Sequence, residues 1–588
     1  MTAFLEKVKS NLEKEMNKMN DDTTLEEKVE IFEQYDSDLE NKIESIIKIE
    51  NNSVSLLNDS FFQDLEIFED HLQDESKSIL SKIDKTDTLF GKVFLKDRLR
   101  HPTFDIKYLN RQKQNIIKIN DNFEESHKLI DNMKGYEKDV IWLWKDIDEQ
   151  IDSLYDMFYF KNTYLKLLNY NEWYLLVMNI YKIFIAPGIT IISPLSTIIF
   201  MFVAYKYYKL ELPFGELLKL AKKLFLTQFS SSSNLKMFFS MAIWIFFYFQ
   251  GVYQTFNTSI QLNKICNIFH TKINLISSFI KNNNELYNFK TKIDLELLHN
   301  ELDYKKLLKL LNRFPSDVRL ISNKGGILSC YYTLLEIKDE LKPFILFLSE
   351  MDYYNSLSKL YNEFQLKDNK YSLPNFIEHK NIKLKLMKCW NPYLDDNPVT
   401  NDIDIKKNIV ITGPNAAGKS TFIKTILLNT VLSQTISLSP SEMINITPFE
   451  VMNSYLHIPD NKGKESLYEA EMNRSIDYIE QLKNNKDLKS LIIMDELFSS
   501  TNSIEGLEAS KIVCKKMAKY KNNLTLLTTH YYEMSTLEKE SKRFKNYKFE
   551  IKRDKNKKIV FTYRLKEGAS KDYIALELFE NKLKKNKN

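Results

Sequence analysis

Gly413-Pro-Asn-Ala-Ala-Gly418-Lys419-Ser420 fits the pattern G-x-x-x-x-G-K-[ST]. Residues of these types at this spacing hold a chain of phosphates. Backbone N–H groups of such a loop point at phosphate oxygens, and the positive end of the following helix adds to their pull. Gly413 and Gly418 let the backbone close around the phosphates. Lys419 is placed to meet the β and γ oxygens, and the Ser420 hydroxyl to ligate Mg²⁺. Pro414, Asn415, Ala416, Ala417 and Thr421 complete the expected nucleotide-binding set. A second constellation is Leu491-Ile-Ile-Met-Asp495-Glu496. An apolar strand ending in adjacent carboxylates can offer Asp495 to the metal and Glu496, as the catalytic group, to an attacking water. Thr529-His530 ends a third apolar run, and His530 is expected near the γ-phosphate. The expected ligands are therefore ATP and Mg²⁺.

These residues need a sheet to carry them. Asn408–Ile411, Leu491–Met494 and Leu524–Leu527 are short β-branched or aliphatic runs that alternate with helical stretches. That alternation predicts a largely parallel sheet covered by helices. Tyr547–Lys552 and Lys558–Tyr563 flank a polar turn and read as a β-hairpin. Glycine is scarce, with 12 in 588 residues. Beyond residue 400 the glycines are Gly413, Gly418, Gly463, Gly506 and Gly568, all of them in or beside a motif.

The chain upstream has a different character. Residues 1–60 read as charged helix, with runs such as Leu25 to Phe32 at helical spacing. Residues 61–170 continue as long helical segments, interrupted at Asp84–Gly91, where Thr86 and Asp87 can cap a helix start, and at His101-Pro102. Ile183 to Tyr205 and Met237 to Asn263 carry no charge. Each is long enough for a bilayer core, which takes roughly 20 apolar residues per helix. Trp173, Tyr174, Tyr205, Tyr207 and Tyr208 stand near the ends of the first, and Pro187 and Pro194 are expected to kink it. The block admits two readings, a membrane anchor or a pair of buried core helices; length and absence of charge favour the anchor. Between the two runs, 206–236 holds six Lys and two Glu. In a simple two-span hairpin that loop opposes the positive-inside rule, whereas re-entrant hairpins broken at Pro187-Gly188 satisfy it.

Composition narrows the class. With 43% hydrophobic and 28% charged residues the chain is globular rather than disordered. A net charge of +4, from 83 basic and 79 acidic residues, argues against a histone-like coat for nucleic acid but leaves room for a local basic groove. Cys266, Cys330, Cys389 and Cys514 fit no metal spacing and are expected to be reduced core thiols. Met1–Ser10 has no apolar core of a secretory signal, so none is expected.

The ordered motifs resemble those of MutS-family ATPases. The phosphate loop begins Thr412-Gly-Pro-Asn415 and ends Gly418-Lys-Ser-Thr421; Ser433-Gln434 and Pro440 follow at similar spacing. Ser466-Leu-Tyr-Glu-Ala-Glu471-Met472 is similar to the family's signature loop, whose Ser reaches the ATP bound by a partner subunit. Met494-Asp-Glu496, Thr501-Asn-Ser503, Glu505-Gly506-Leu507, Thr529-His530-Tyr531 and Gly568-Ala-Ser570 with Tyr573 extend the likeness over 385–575. Asp84–Gly91, Leu99–Pro102 and Leu109–Gln112 resemble the entry to the family's helical core. There are three departures. About 80 residues precede that core, too few for the mismatch-reading domain, and Phe123-Glu-Glu125 is read as coincidence. The apolar block stands where a DNA clamp is normally inserted. Pro398 aligns with an aromatic that meets adenine. The longer C-terminal dimerisation helices also look trimmed, because the chain ends soon after Tyr573.

The resemblance implies an α plus α/β protein: a long, lever-like helical core followed by a P-loop NTPase domain with a mainly parallel sheet of the ABC/MutS type. The expected segments are 1–60, a charged helical N-terminal stretch; 61–170, helical core; 171–262, the apolar insertion; 263–382, helical core again; 383–576, the ATPase domain; and 577–588, a Lys-rich tail. It implies an ATP hydrolase that couples its cycle to opening and closing of a homodimer or heterodimer acting on DNA, intracellular, and membrane-associated with the ATPase domain on the cytoplasmic side. The alternative is a soluble repair or recombination ATPase that recognises branched DNA. Mismatch recognition itself is not expected. An ABC transporter ranks last, since two apolar runs are too few for a translocation path.

Overall fold

The computed structural model describes most of residues 38–571. Residues 1–26 and 572–588, most of 27–37, 194–233 and 299–322, and the stretches 48–53, 59, 71, 146–148, 366–368, 395–397, 457–465 and 554–558 lie outside the description. The Lys-rich tail, Tyr573, Gly463, Pro194 and most of the 206–236 linker fall there. The principal helices are α1 (Leu89–Arg100), α2 (Ile106–Asp121), α3 (Glu172–Ile180), α4 (Ala186–Ile192), α5 (Asn234–Lys292), α6 (Lys324–Glu336), α7 (Lys342–Gln365), α8 (Lys419–Thr435), α9 (Leu467–Asn484) and α10 (Ser503–Met517). The chain divides into two units, one of residues 1–42, 135–281 and 301–344, the other of 43–134, 282–300 and 345–588.

The second unit holds the sheet. Its strands are β1 (Leu56–Leu57), β2 (Asn375–Phe376), β3 (Leu384–Cys389), β4 (Asn401–Ile405), β5 (Asn408–Thr412), β6 (Met443–Ile446), β7 (Val451–Tyr455), β8 (Ser490–Asp495), β9 (Asn523–Thr529), β10 (Phe544–Arg553) and β11 (Ile559–Glu567). The larger sheet runs β1-β7-β8-β9-β5-β10-β11. All its pairs are parallel except β10 with β11. Every residue of β5, β7 and β9 is buried, as a parallel strand covered on both faces requires. The smaller sheet, β2-β6-β3-β4, is mostly antiparallel. The predicted three strands are present, each extended by one to three residues; the hairpin is present as Phe544–Arg553 and Ile559–Glu567, its expected residue Lys558 lying outside the described residues.

Two sequence expectations are corrected here. Residues 1–60 are not helical throughout: Leu56 and Leu57 pair with Val451 and Met452 and add an edge strand to the sheet. A two-residue strand carries too little periodicity to be seen in a charged helical context. Residues 61–170 form short helices rather than long ones, because caps restart the chain repeatedly. Thr88, not Thr86 or Asp87, caps α1, accepting from the Gly91 N–H, and Asp105 caps α2. Thr86 instead donates to Asp84, and the Asp87 and Thr88 N–H groups donate to Asp352 on α7. Close approach fixes Gly91 as well: a Cβ there would lie 2.3 Å from Asp352 Oδ2.

The end of α8 is tied into the helices around it. Gln434 Nε2 donates to the carbonyls of Thr103 and Phe449, both at 3.0 Å, and its Oε1 accepts from the Phe449 N–H at 2.8 Å. Gln112 on α2 donates to the Thr435 carbonyl and accepts from Ser437. Both amides are fully buried, and their polar atoms are hydrogen-bonded, as buried polar groups generally are.

The first unit is helical. α3, a π-helical turn at Tyr181–Ile185 and α4 form one continuous helical stretch, with Pro187 in the first turn of α4. α5 is 59 residues long. α3 packs closely on α6, where a Cβ on Gly325 would fall 2.0 Å from the Glu172 carbonyl oxygen. All four cysteines are free and buried, as expected of core thiols.

Candidate functional site

Strand register gathers the site at one edge. Thr412, the last residue of β5, is level with Thr529 of β9, and Thr528 is level with Asp495, the last residue of β8. Three parallel strands therefore deliver the phosphate loop, the carboxylate pair and the Thr529-His530 step to the same carboxyl edge, the place where open α/β sheets bind ligands.

The loop from Gly413 to Gly418 turns back over the start of α8. Gly413 and Gly418 have φ of +154° and +94°, and Ala416, though it bears a Cβ, sits at +67°. Positive φ at a non-glycine residue costs energy that the surroundings must supply, and such positions concentrate at ligand clamps. Lys419, Ser420 and Thr421 form the first turn of α8. Lys419 is buried, and its Nζ donates to the Pro414 carbonyl at 3.2 Å and to Asn415 Oδ1 at 3.4 Å. The same ammonium stands 3.5 Å from Glu496 Oε1. The loop thus folds around its own cation, in a cradle of oxygen atoms.

Across the strand ends, Asp495 accepts from the Thr528 hydroxyl. Glu496 leaves the strand at φ +46°, its N–H donating to the Thr528 carbonyl at 3.0 Å, so its half-exposed carboxylate turns toward Lys419 while Asp495 remains in the sheet. The division of direction expected for adjacent carboxylates is thereby realised through a left-handed backbone step. Gly506, on α10, permits the packing behind: a Cβ there would meet the Phe498 carbonyl oxygen at 2.5 Å and Tyr531 Oη at 2.8 Å. His530 is exposed, its ring 4.1 Å from that of Tyr531. The Ser570 N–H donates to Thr412 Oγ1 at 2.8 Å, fastening the Gly568–Ser570 segment to the strand that feeds the loop.

Ser466 and Glu471 separate. Ser466 is exposed and caps α9 by accepting from the Glu469 N–H at 3.2 Å. Glu471 is buried and accepts from Ser500 in the loop after the carboxylates. Leu467, Tyr468, Met472 and Ile476 leave exposed apolar side chains along the helix that Ser466 begins.

Beside the loop lies a cavity of about 390 Å³, lined by Gly418, Thr421 and Phe422, by Pro398 and Val399, and by Phe549 and Tyr563 of the hairpin. Tyr563 Cδ1 would stand 3.1 Å from a Cβ on Gly418. Sequence reasoning stopped at Pro398 and missed this tyrosine. The hairpin was legible, but which of its residues crosses to the phosphate loop depends on the bulge between Phe549 and Ile551, which shifts the register.

The donor set suits the expected metal. A Ser hydroxyl and a carboxylate are hard oxygen ligands of the kind Mg²⁺ takes, with waters and phosphate oxygens completing the shell.

Comparison with known proteins places these features. Residues 409–581 match MutS domain V. The chain is 31% identical over 206 residues to the DNA mismatch repair protein MutS of Aquifex pyrophilus, covering 34% of this chain and 24% of that protein. It is 28% identical over 304 residues to the protein of the same name from Finegoldia magna, covering 50% of this chain and 33% of the relative. Against the one from Bacteroides thetaiotaomicron the figures are 33% over 185 residues, 31% of this chain and 21% of the relative. These alignments span a third or less of each relative's length. The phosphate loop, the carboxylate strand and the closing Gly568–Ser570 segment all lie inside the stretch that matches MutS domain V.

Proposed function

We propose that the chain is a Mg²⁺-dependent ATPase whose nucleotide cycle opens and closes a dimer acting on DNA. The observation that carries the reading is the Lys419–Glu496 pair at 3.5 Å, which joins the phosphate loop to the carboxylate strand. In this reading the N–H groups of Gly413–Thr421 bind the phosphates, and Lys419 exchanges its loop oxygens for those of the β and γ phosphates. Ser420 and Asp495 hold Mg²⁺, which supplies charge neutralisation between the phosphates. Glu496 orients and deprotonates the attacking water, and His530 faces the γ-phosphate. The cavity beside Gly418 takes the nucleoside, with Tyr563 in the part of the aromatic that Pro398 replaces.

The dimer rests on Ser466. It is exposed at the head of a helix with an apolar outer face, and the family likeness gives it a role on a partner's nucleotide. Mixing Lys419→Ala chains with Ser466→Ala chains should restore activity, since one composite site of each mixed dimer is then intact. No recovery on mixing would refute composite sites.

Action on DNA is inferred from the relatives, which are named as DNA mismatch repair proteins. Binding should fall steeply with salt if phosphates are gripped. Comparison of perfect, mismatched and four-way-junction duplexes at low salt identifies the substrate; absence of binding to all three would remove DNA from the account.

A further inference from the structure

We propose that the paired helices at Ile183–Ile192 and Phe239–Thr258 form a hairpin whose occupant is the hydrocarbon of a lipid bilayer. α5 changes character along its length. From Leu262 to Ile280 it buries Leu262, Ile265, Cys266, Phe269, Ile273 and Ile276 in the first unit. From Phe239 to Thr258 it projects, exposing Phe239, Ile243, Phe246, Phe247, Phe249 and Tyr253. The projecting part is 20 residues, about 30 Å at the α-helical rise, which matches a bilayer core of roughly 30 Å.

The partner stretch runs antiparallel to it. Ser259 Oγ donates to the Ile183 carbonyl at 2.6 Å, and Tyr248 Oη to the Ile191 carbonyl at 2.8 Å. The stretch Glu172–Ile192 is long and apolar enough to cross a membrane, and only 22% of its most apolar window is buried. Its buried residues, Leu175, Asn179, Ile183 and Pro187, recur every fourth position, so a single stripe faces protein. Phe184, Ile185, Ile189, Ile191 and Ile192 are exposed.

The distribution of exposure selects the occupant. At 100° per residue the exposed apolar positions of Phe239–Ile260 cover about 240° of the helix circumference, whereas a helix docking on protein presents a stripe of roughly 100°. Trp244 and Tyr248, stacked 5.7 Å apart, turn to the other side together with Gly251, Thr255 and Thr258. An environment apolar on nearly every side is lipid. Hydroxyls within the pair are consistent with that. Thr190, Thr255 and Thr258 each donate to the carbonyl four residues earlier in their own helix, so these three hydroxyls need no water. No charged residue occurs in 183–192 or 239–258. Lys182, whose Nζ donates to the Met157 carbonyl, and Lys264 flank the Ser259–Ile183 contact and are the first charges on the core side of either helix.

The full-length chain should float with phosphatidylcholine–phosphatidylglycerol vesicles after an alkaline carbonate wash. The double variant Phe246→Lys, Phe247→Lys alters two exposed side chains. It should lose flotation at least tenfold while binding nucleotide as the parent does, which separates failure of insertion from failure to fold. A parent chain that stays in detergent-free buffer as a single species overturns the proposal. So does a defined dimer in buffer that the double variant dissociates, since a second copy would then be the occupant. Either result leaves the nucleotide site untouched.

Discussion

Lys419 Nζ and Glu496 Oε1 stand 3.5 Å apart, although their residues arise from strands β5 and β8, which are separated in the sheet by β9. The contact exists because the strand ends are level and because Glu496 steps into the left-handed region on leaving β8. In the proposed ATPase reading, phosphate that takes the cation releases the carboxylate, which then accepts a proton from water.

Metal dependence is expected to be strict. Chelation of Mg²⁺ should abolish hydrolysis, and Asp495→Ala should reduce it by at least 10²-fold at saturating Mg²⁺, an effect of the size usual for a positioned catalytic group. Ser420→Ala should mainly raise the Mg²⁺ concentration needed. Steady-state rates across a Mg²⁺ titration check both; unchanged rates in EDTA would remove the metal from the site.

Tyr563 is expected to grip the base. Base–aromatic stacking contributes about 1–3 kcal/mol by alanine substitution, so Tyr563→Ala should weaken ATP affinity by roughly 5- to 150-fold. Tyr563→Phe should keep most of it. Calorimetry with ATP and with tripolyphosphate discriminates: the loss should appear only with the nucleotide.

Gln434 is expected to be a stability residue at the far end of the phosphate-loop helix. Its amide serves the backbone of Thr103 and Phe449, and Gln434→Ala removes three buried hydrogen bonds, the Phe449 carbonyl keeping the one from Ser55 Oγ. The cost should be about 1–3 kcal/mol, seen as a lower urea midpoint. A change within error would mean that water replaces the amide.

Asp352 should make the stability of its unit pH-dependent. Burial pushes its carboxyl up to about 7, against the hydrogen bonds from Thr88 and Asp87, and the neighbouring Asp87 carboxylate adds to the rise. Asp87 itself is held below the usual range by Lys359 and Lys134, against its own desolvation. For Asp352 the folded state binds the proton more tightly than the unfolded state. Its contribution therefore declines as pH rises from about 4 to 7 and levels off above. Asp352→Asn removes this slope, so its stability relative to the parent should improve across that window by up to a few kcal/mol. Parallel slopes for parent and variant would contradict the assignment.

Much of the site was readable without coordinates because its chemistry is local. The loop Gly413–Ser420 and the run Leu491–Glu496 are contiguous, and buried parallel strands leave uninterrupted apolar runs. What escaped the sequence is non-local. Leu56 and Leu57 join the sheet only through pairing with Val451 and Met452. Tyr563 reaches Gly418 only through the register of a bulged hairpin. Thr88 rather than Thr86 caps α1 because Asp352, far along the chain, fixes the turn before it. The apolar runs announced themselves by composition, but only their exposure separates an outward hairpin from a pair of core helices.

The most direct test of the central claim is a filter-binding and single-turnover measurement with radiolabelled ATP and Mg²⁺ on Glu496→Ala and Lys419→Ala. Glu496→Ala should retain ATP with parental affinity and leave it uncleaved, with turnover down by about 10²–10⁴-fold, while Lys419→Ala should retain almost none. If both variants bind and hydrolyse ATP as the parent chain does, the pair Lys419–Glu496 is not the centre of the site.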